Sequence, residues 1–289
     1  MPSLLELFLD PVSIAFFLLF GVLWAIEALF PARQLPEVAG HRARSVLTLL
    51  AYFLISSYLP FLVTPWLAPL QVLDLASFGA VGGGLGALLA YQVVGYAYHR
   101  ALHRFGFLFR SVHQMHHSAE RLDVPSAFWF SPLDMAGWTL VATIALAIVG
   151  VTPEAVVVFV LSGTFLSTFQ HANLRTPRWL GYLIQRPESH SYHHARGVHA
   201  SNYADLPVLD LIFGTFVNPA DFAPATGYYD GASKRVGEML LLRDVTRAPA
   251  NQPSAGAGAA QRVSAPISRR SVGDRAPQSS ETPAVLSGR

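Results

Sequence analysis

Three stretches of the chain, residues 11–30, 46–66 and 80–98, are apolar over nearly the whole length that a helix needs to cross a bilayer, roughly 20 residues. Two shorter ones, 133–150 and 153–170, are separated only by Val151 and Thr152. They read as a tight helical hairpin that either crosses fully or dips in and returns. Backbone amides find no partner in lipid, so segments of this kind must satisfy their hydrogen bonds internally. The expectation is an all-α, polytopic membrane bundle of about five transmembrane segments. Composition agrees. Hydrophobic residues make up 52% and charged residues 13%, against roughly 25% charged in an ordinary soluble domain. With 20 basic and 18 acidic side chains among 289 residues, a soluble globule lacks the polar surface it needs. Disorder as the overall state is excluded by the same composition.

Pro11 and Pro153 suit the first turn of a helix, where a missing N–H costs nothing. The first apolar run does not read as a cleavable leader, because residues 1–10 carry Glu6 and Asp10 and no cation. The cations order the topology. None lies in residues 1–10, in the connection 67–79 or at the hairpin tip. Arg33, Arg42 and Arg44 separate the first two spans, Arg100, Arg104, Arg110 and Arg121 precede the hairpin, and the other thirteen follow it. Five crossings with the N-terminus outside put all 20 on one face, which the positive-inside rule makes cytoplasmic. The expected division is residues 1–79 as N-terminal transmembrane helices, 80–244 as the functional domain, and 245–289 as a disordered tail. That tail is rich in Ala, Ser, Pro, Gly and Arg, and no aromatic residue follows Tyr229.

There is no cysteine, so disulfides, thiolate zinc sites, iron–sulfur clusters and cysteine catalysis are excluded. The chemistry-bearing residues are histidines. His99 and His103 form an H-x3-H directly after the third apolar run, His113, His116 and His117 an H-x2-H-H, His171 stands at the return of the hairpin, and His190, His193 and His194 repeat the H-x2-H-H. Residues three or four apart share a helix face, so each group aims two or three nitrogens in one direction. All nine belong to one predicted face, as a cap on the bundle, and neutral imidazole is a good ligand for iron, copper, zinc and nickel. Because imidazole ligates only through a deprotonated nitrogen, metal loading is expected to weaken as pH falls below about 6.5.

These boxes, with "QHANL" around His171 and the downstream "SNYADLPVLDLIFGTF" and "GYYDGASKR", resemble the fatty acid hydroxylase superfamily of integral membrane proteins, which includes sterol desaturases. The resemblance covers residues 80–242. In that family the last box is followed by Asn-Tyr and then an aspartate-containing segment ending in Phe-Gly-Thr, here Asn202, Tyr203, Asp210 and residues 213–215. It implies a membrane oxidoreductase with two iron ions held by the nine histidines and O2 as co-substrate. The implied substrate is a C–H bond of a lipid (a sterol, hopanoid, fatty acyl chain or carotenoid-like molecule), hydroxylated or desaturated. The chain shows no haem-binding electron-donor domain, so electrons are expected from a separate reductase or electron-transfer protein; nucleic acid is not an expected partner. Where relatives carry Arg or His before a proline, this chain has Phe128, Trp129 and Phe130, which makes the substrate route more apolar.

Around the ligands, Glu188, Glu120 and Asp210 are candidates for carboxylates that orient the imidazoles, the first two alternatively being solvated surface acids. Asp134 is expected to cap the helix that follows Ser131 and Pro132. Asn173 either meets a metal-bound water or satisfies backbone at a helix end. His41 reads as interfacial charge and His199 as a loop residue near the site. The glycines at 82–84 and 86 read as close helix packing. Two other functions remain open on the residues alone. One is a zinc-dependent membrane enzyme; the other is a metal transporter or sensor, disfavoured because transport ligands sit near the membrane midplane.

Overall fold

The long helices begin where the sequence supplies a cap followed by proline. Asp10 accepts from the amides of Val12 and Ser13 ahead of helix α2 (Pro11–Leu29), Ser131 from Asp134 ahead of α7 (Pro132–Val149), and Thr152 from Ala155 ahead of α8 (Pro153–His171). In each case proline takes the first helical position, as expected. A short α1 (Leu4–Leu9) precedes them, closed by a reciprocal Ser3–Glu6 capping box. Two further long helices, α3 (His41–Leu67) and α4 (Gly79–Arg104), complete the set. The computed structural model describes residues 1–249, and among these all regular structure is helical, with one isolated bridge between Ala195 and Thr226 and no strand.

Five helices are long and apolar enough to cross a membrane, so this is a multi-pass membrane protein. With 18 and 19 residues, α7 and α8 each reach about 27–29 Å at 1.5 Å per residue, the length of a full crossing of the ~30 Å hydrocarbon core. Each helix of the hairpin is therefore long enough for a complete span. Val245 is fully buried and its amide meets Gln114 Oε1, so the expected tail begins in packed structure; the remainder of that expectation, from residue 250, lies outside the described residues.

Inside lipid, helices associate through shape and close approach more than through apolar transfer. A Cβ on Gly84 would come within 2.6 Å of Val158, and one on Gly83 within 3.1 Å of Ala155, so these glycines let α4 lie directly on α8 as expected. Aromatic rings fill the other side: Phe16 of α2, Phe53 of α3 and Phe128 make tilted contacts 5.7–6.0 Å between centroids. Beyond the spans the chain folds into short pieces: α5 (Gly106–Leu108), a π-helical turn over Phe109–His113, α6 (Gln114–His117), α9 (Pro187–His193), α10 (Val208–Ile212) and α11 (Val236–Leu240). These gather around the ends of α4 and α8.

Candidate metal centre

The nine box histidines converge into two groups. One holds His99 and His103 from α4, His113 and His117 from the π-turn and α6, and His193 from α9; the other holds His116, His171, His190 and His194. Within each group one ligand nitrogen per residue lies within 4.8 Å of the others. Each H-x2-H-H box is divided between the groups rather than facing one way, as its spacing had suggested. Residues i and i+4 stay together while i+3 goes to the other group, because neighbouring side chains on a helix point about 100° apart. The boxes divide in opposite senses, the second box giving its pair to the first group and the last box giving its pair to the second. The groups adjoin: the ring of His117 stacks on that of His194 with centroids 4.2 Å apart.

The outer nitrogens show how the rings are held. Nδ1 donates to a backbone carbonyl in four cases: His99 to Tyr203 (2.8 Å), His103 to His199 (3.0 Å), His171 to Ser167 (2.7 Å) and His193 to Ser201 (2.7 Å). His113 Nδ1 donates to Asp134 Oδ2 at 2.8 Å. Each such bond fixes the tautomer and leaves Nε2 as a bare lone pair pointing inward. Three of the accepting carbonyls belong to residues 199–203, where His199, Ser201 and Asn202 have φ of 44°, 74° and 53°. Non-glycine residues avoid this left-handed region, at a cost of about 1–3 kcal/mol each. The strain is held by Asn202, whose side chain bonds Ser189 O, Val217 O and Val217 N, and by Asp210, which accepts the amides of Tyr203 and Ala204.

The inner nitrogens fit a metal and little else. His99 and His113 both present bare Nε2 atoms, yet these lie 3.2 Å apart, an arrangement of facing lone pairs that needs a cation between them. His116, His190 and His194 bring Nε2 within 3.1–3.2 Å of a neighbour's Nε2, and their buried Nδ1 atoms have no hydrogen-bond partner. Two imidazoles on one ion at about 2.1 Å would be roughly 3.0–3.4 Å apart. His103, His117 and His193 have buried Nε2 atoms with no hydrogen-bond partner, which a metal-free site cannot satisfy cheaply. The donor set is all imidazole, suited to first-row transition metals.

A cavity of about 70 Å³ reaches both groups, its wall including His99, His113, His116, His171 and His190. Asp205 faces it, held by the amides of Gln92 (3.2 Å) and Gln170 (2.9 Å). A second, mainly apolar cavity of about 610 Å³ lies among α2, α3, α7 and α8. It runs from Gly150 at the hairpin tip to Trp138, about 18 Å along α7. Tyr52, Tyr91, Phe128, Trp138 and Ser167 line both cavities and stand between them. Of the three aromatics expected to make the route apolar, Phe128 borders both cavities and Phe130 packs 4.7 Å from the His116 ring, whereas Trp129 turns away to donate to Ser118 Oγ.

Several expectations are corrected. The cap of α7 is Ser131, and Asp134, fully buried, orients His113 instead. Glu188 and Glu120 touch no histidine and are not solvated: Glu188 is buried against Arg186 and Thr176, and Glu120 accepts the amides of Gly231 and Ser233. Asp210 acts one step removed, through the Tyr203 loop. His41 is a buried partner of Asp123 (2.8 Å), not a free interfacial charge. Asn173 satisfies backbone, donating to Arg33 O at 2.7 Å. His199 lies, as expected, in a loop outside both groups, its Nδ1 3.4 Å from that of His117. Glu27 of α2 went unnoticed in the sequence; its Oε2 accepts the amides of both Val124 and Asn173 at 2.8 Å.

Burial pushes His116, His117, His190, His193 and His194 well below 6.5, and His199 to about 4. Burial thus disfavours the protonated form of these imidazoles in the folded protein. In the unfolded chain the same groups take up protons below about 6.5. Between that pH and the lowered folded values the unfolded state binds more protons, so stability is lost as pH is lowered through that range and is insensitive to pH above it. Thermal melts of the metal-free protein should be flat above about pH 7 and drop progressively below 6.5; a flat profile throughout would contradict the burial of these rings.

No curated protein and no solved structure matched the chain. The model of the fatty acid hydroxylase family matches residues 84–215, the stretch that contains all nine histidines of the two groups. Residues 84–215 of the membrane-embedded helical bundle are thus similar to the fatty acid hydroxylase family.

Proposed function

We propose that each histidine group holds one iron ion and that the protein is an O2-dependent oxidoreductase that hydroxylates or desaturates a C–H bond of a membrane lipid. The reading is carried by nine imidazoles, divided five and four, at the end of an apolar intramembrane cavity in a chain similar to the fatty acid hydroxylase family. His99, His103, His113, His117 and His193 would bind one ion, and His116, His171, His190 and His194 the other. Five imidazoles exceed the four ligands of a structural zinc site, which favours iron. When bound, the pair supplies the redox chemistry that activates O2. We take residues 80–244 as the functional unit, with helices from residues 1–79 completing the cavity.

The chain's own residues bind, orient and exclude water. The 610 Å³ cavity suits a sterol-, hopanoid-, acyl- or carotenoid-like hydrocarbon and keeps solvent away. Tyr52, Tyr91, Phe128 and Trp138 limit which part of it reaches the small cavity. Asp134 and the carbonyls of His199, Ser201 and Tyr203 hold His113, His103, His193 and His99 in one tautomer. Hydroxylation consumes two electrons and two protons beyond O2; a separate reductase or electron-transfer protein supplies the electrons. Its approach requires the histidine face to be cytoplasmic, as the cation distribution supports. A reporter fused after Gly150 should then read outside and one after Arg247 inside.

Purified protein should contain about two irons per chain and consume O2 when given both a reductant and its lipid. Zinc at the same stoichiometry, with no O2 uptake, would overturn the reading in favour of a zinc enzyme. A metal that exchanges across sealed vesicles would point to transport.

A further inference from the structure

On α4 the lipid-facing stripe is Val81, Leu85, Leu89 and Val93, each 48–64% exposed. The stripe ends in Arg100. From Gly79 to Arg100 is about 32 Å of helix, the thickness of the hydrocarbon core, so Arg100 marks the boundary with the headgroups. α10 is docked at this level. Phe213, which follows it, stacks on Tyr96 (5.3 Å between centroids), lies under the Arg100 guanidinium (5.8 Å), and is 55% exposed on its outer side. Val208, Leu211 and Ile212 are exposed with it, Ile212 to 67%. The opposite side of α10 is polar and closed: Asp210 is fully buried and grips Tyr203, Ala204 and Thr215.

A second segment joins the same surface. Arg178 and Asn218 exchange hydrogen bonds with each other's backbone, and the rings of Tyr182 and Phe216 are 5.5 Å apart, fastening residues 178–183 beside the chain that leaves α10. There Trp179 and Leu183 are 62% and 61% exposed. So large an apolar area outside the spans is costly in water. It is continuous with the lipid-facing side of α4, it carries Trp and Tyr, which favour the bilayer boundary, and it is rimmed by Arg100 and Arg178, which suit anionic headgroups.

We propose that α10 and residues 178–183 lie in the plane of the membrane, with Val208, Leu211, Ile212, Phe213, Trp179 and Leu183 sunk into the leaflet on the histidine side. The occupant of the surface is lipid, not a second copy of the chain. This holds whatever metal the histidines take. It also places the leaflet one helix away from the ligands, since Asp210 on the inner side of α10 holds the loop whose Tyr203 carbonyl orients His99.

The chain has no cysteine, so Ile212→Cys, Trp179→Cys and Val208→Cys each carry a single fluorescent label. Leu89→Cys marks the bilayer and Asp221→Cys, with its side chain 73% exposed, marks water. The full-length protein is reconstituted into phosphatidylcholine–phosphatidylglycerol vesicles with and without brominated acyl chains. Labels at 212, 179 and 208 should lose fluorescence to brominated lipid comparably with 89 and resist aqueous iodide relative to 221. Quenching by iodide as at 221, with none by lipid, would overturn the proposal by showing a wet surface. Protection from both quenchers would overturn it too, by showing that protein covers the patch.

Discussion

H194A protein is expected to lose turnover and to carry about one metal ion where the intact protein carries two. His194 is fully buried in the four-histidine group, its Nε2 3.1 Å from that of His190. With only four imidazoles there, removing one leaves the group a ligand short. H199A should keep both ions. His199 belongs to neither group; its main-chain carbonyl, which accepts from His103 Nδ1, survives the substitution, while the long 3.4 Å contact of its ring with His117 Nδ1 is lost. A modest loss of rate is expected, because the positive φ at 199 suits alanine no better than histidine and the ring packs on Tyr228. Metal counts on the two purified variants decide the matter. Equal loss at both would make His199 a ligand; retention at both would remove the last box from the metal site.

The second large effect is expected at Glu27, which lies outside the matched domain. Its single oxygen Oε2 holds the amide of Val124, ahead of the Phe128 turn, and the amide of Asn173, two residues beyond His171. Glu27→Ala strands two buried N–H groups and should cost about 2–4 kcal/mol. Glu27→Gln keeps one carbonyl oxygen in the same place, so it should retain both bonds and most of the stability. Thermal unfolding with metal analysis tests this: the alanine variant should melt earlier and lose metal from the His171 group first. If glutamine proves as damaging as alanine, the carboxylate charge and not the acceptor geometry matters at this position.

Much of the bundle was legible because its signals are local. Apolar runs of bilayer length, Asp-Pro, Ser-Pro and Thr-Pro at helix starts, and imidazoles at helical spacing are all properties of short windows. The division of each box was also within reach, since His116 and His117 must point about 100° apart on any helix. What escaped was tertiary. An acid three residues after Ser131 has the same local signature whether it caps a helix or reaches across to His113, and only the fold brings the two together. Glu27 is a lone acid near the end of an apolar run, and its partners lie 97 and 146 residues away. The carbonyls of His199, Ser201 and Tyr203 have no side-chain signature at all. Their importance comes from a backbone bend that three non-glycine residues adopt against their own preference.

The crossed division of the two H-x2-H-H boxes makes them intolerant of a change in length. Each is a rod serving two customers on different sides, so inserting or deleting one residue between His113 and His117, or between His190 and His194, turns every later imidazole by about 100°. A nitrogen meant for one group is then delivered to the other or to neither, and no side-chain rotation restores it. The surface segments between boxes carry no such phase, and residues can be added there without moving a ring. Diversification of this architecture is thereby channelled into its connecting loops, while the boxes behave as units that can be kept or lost but not stretched.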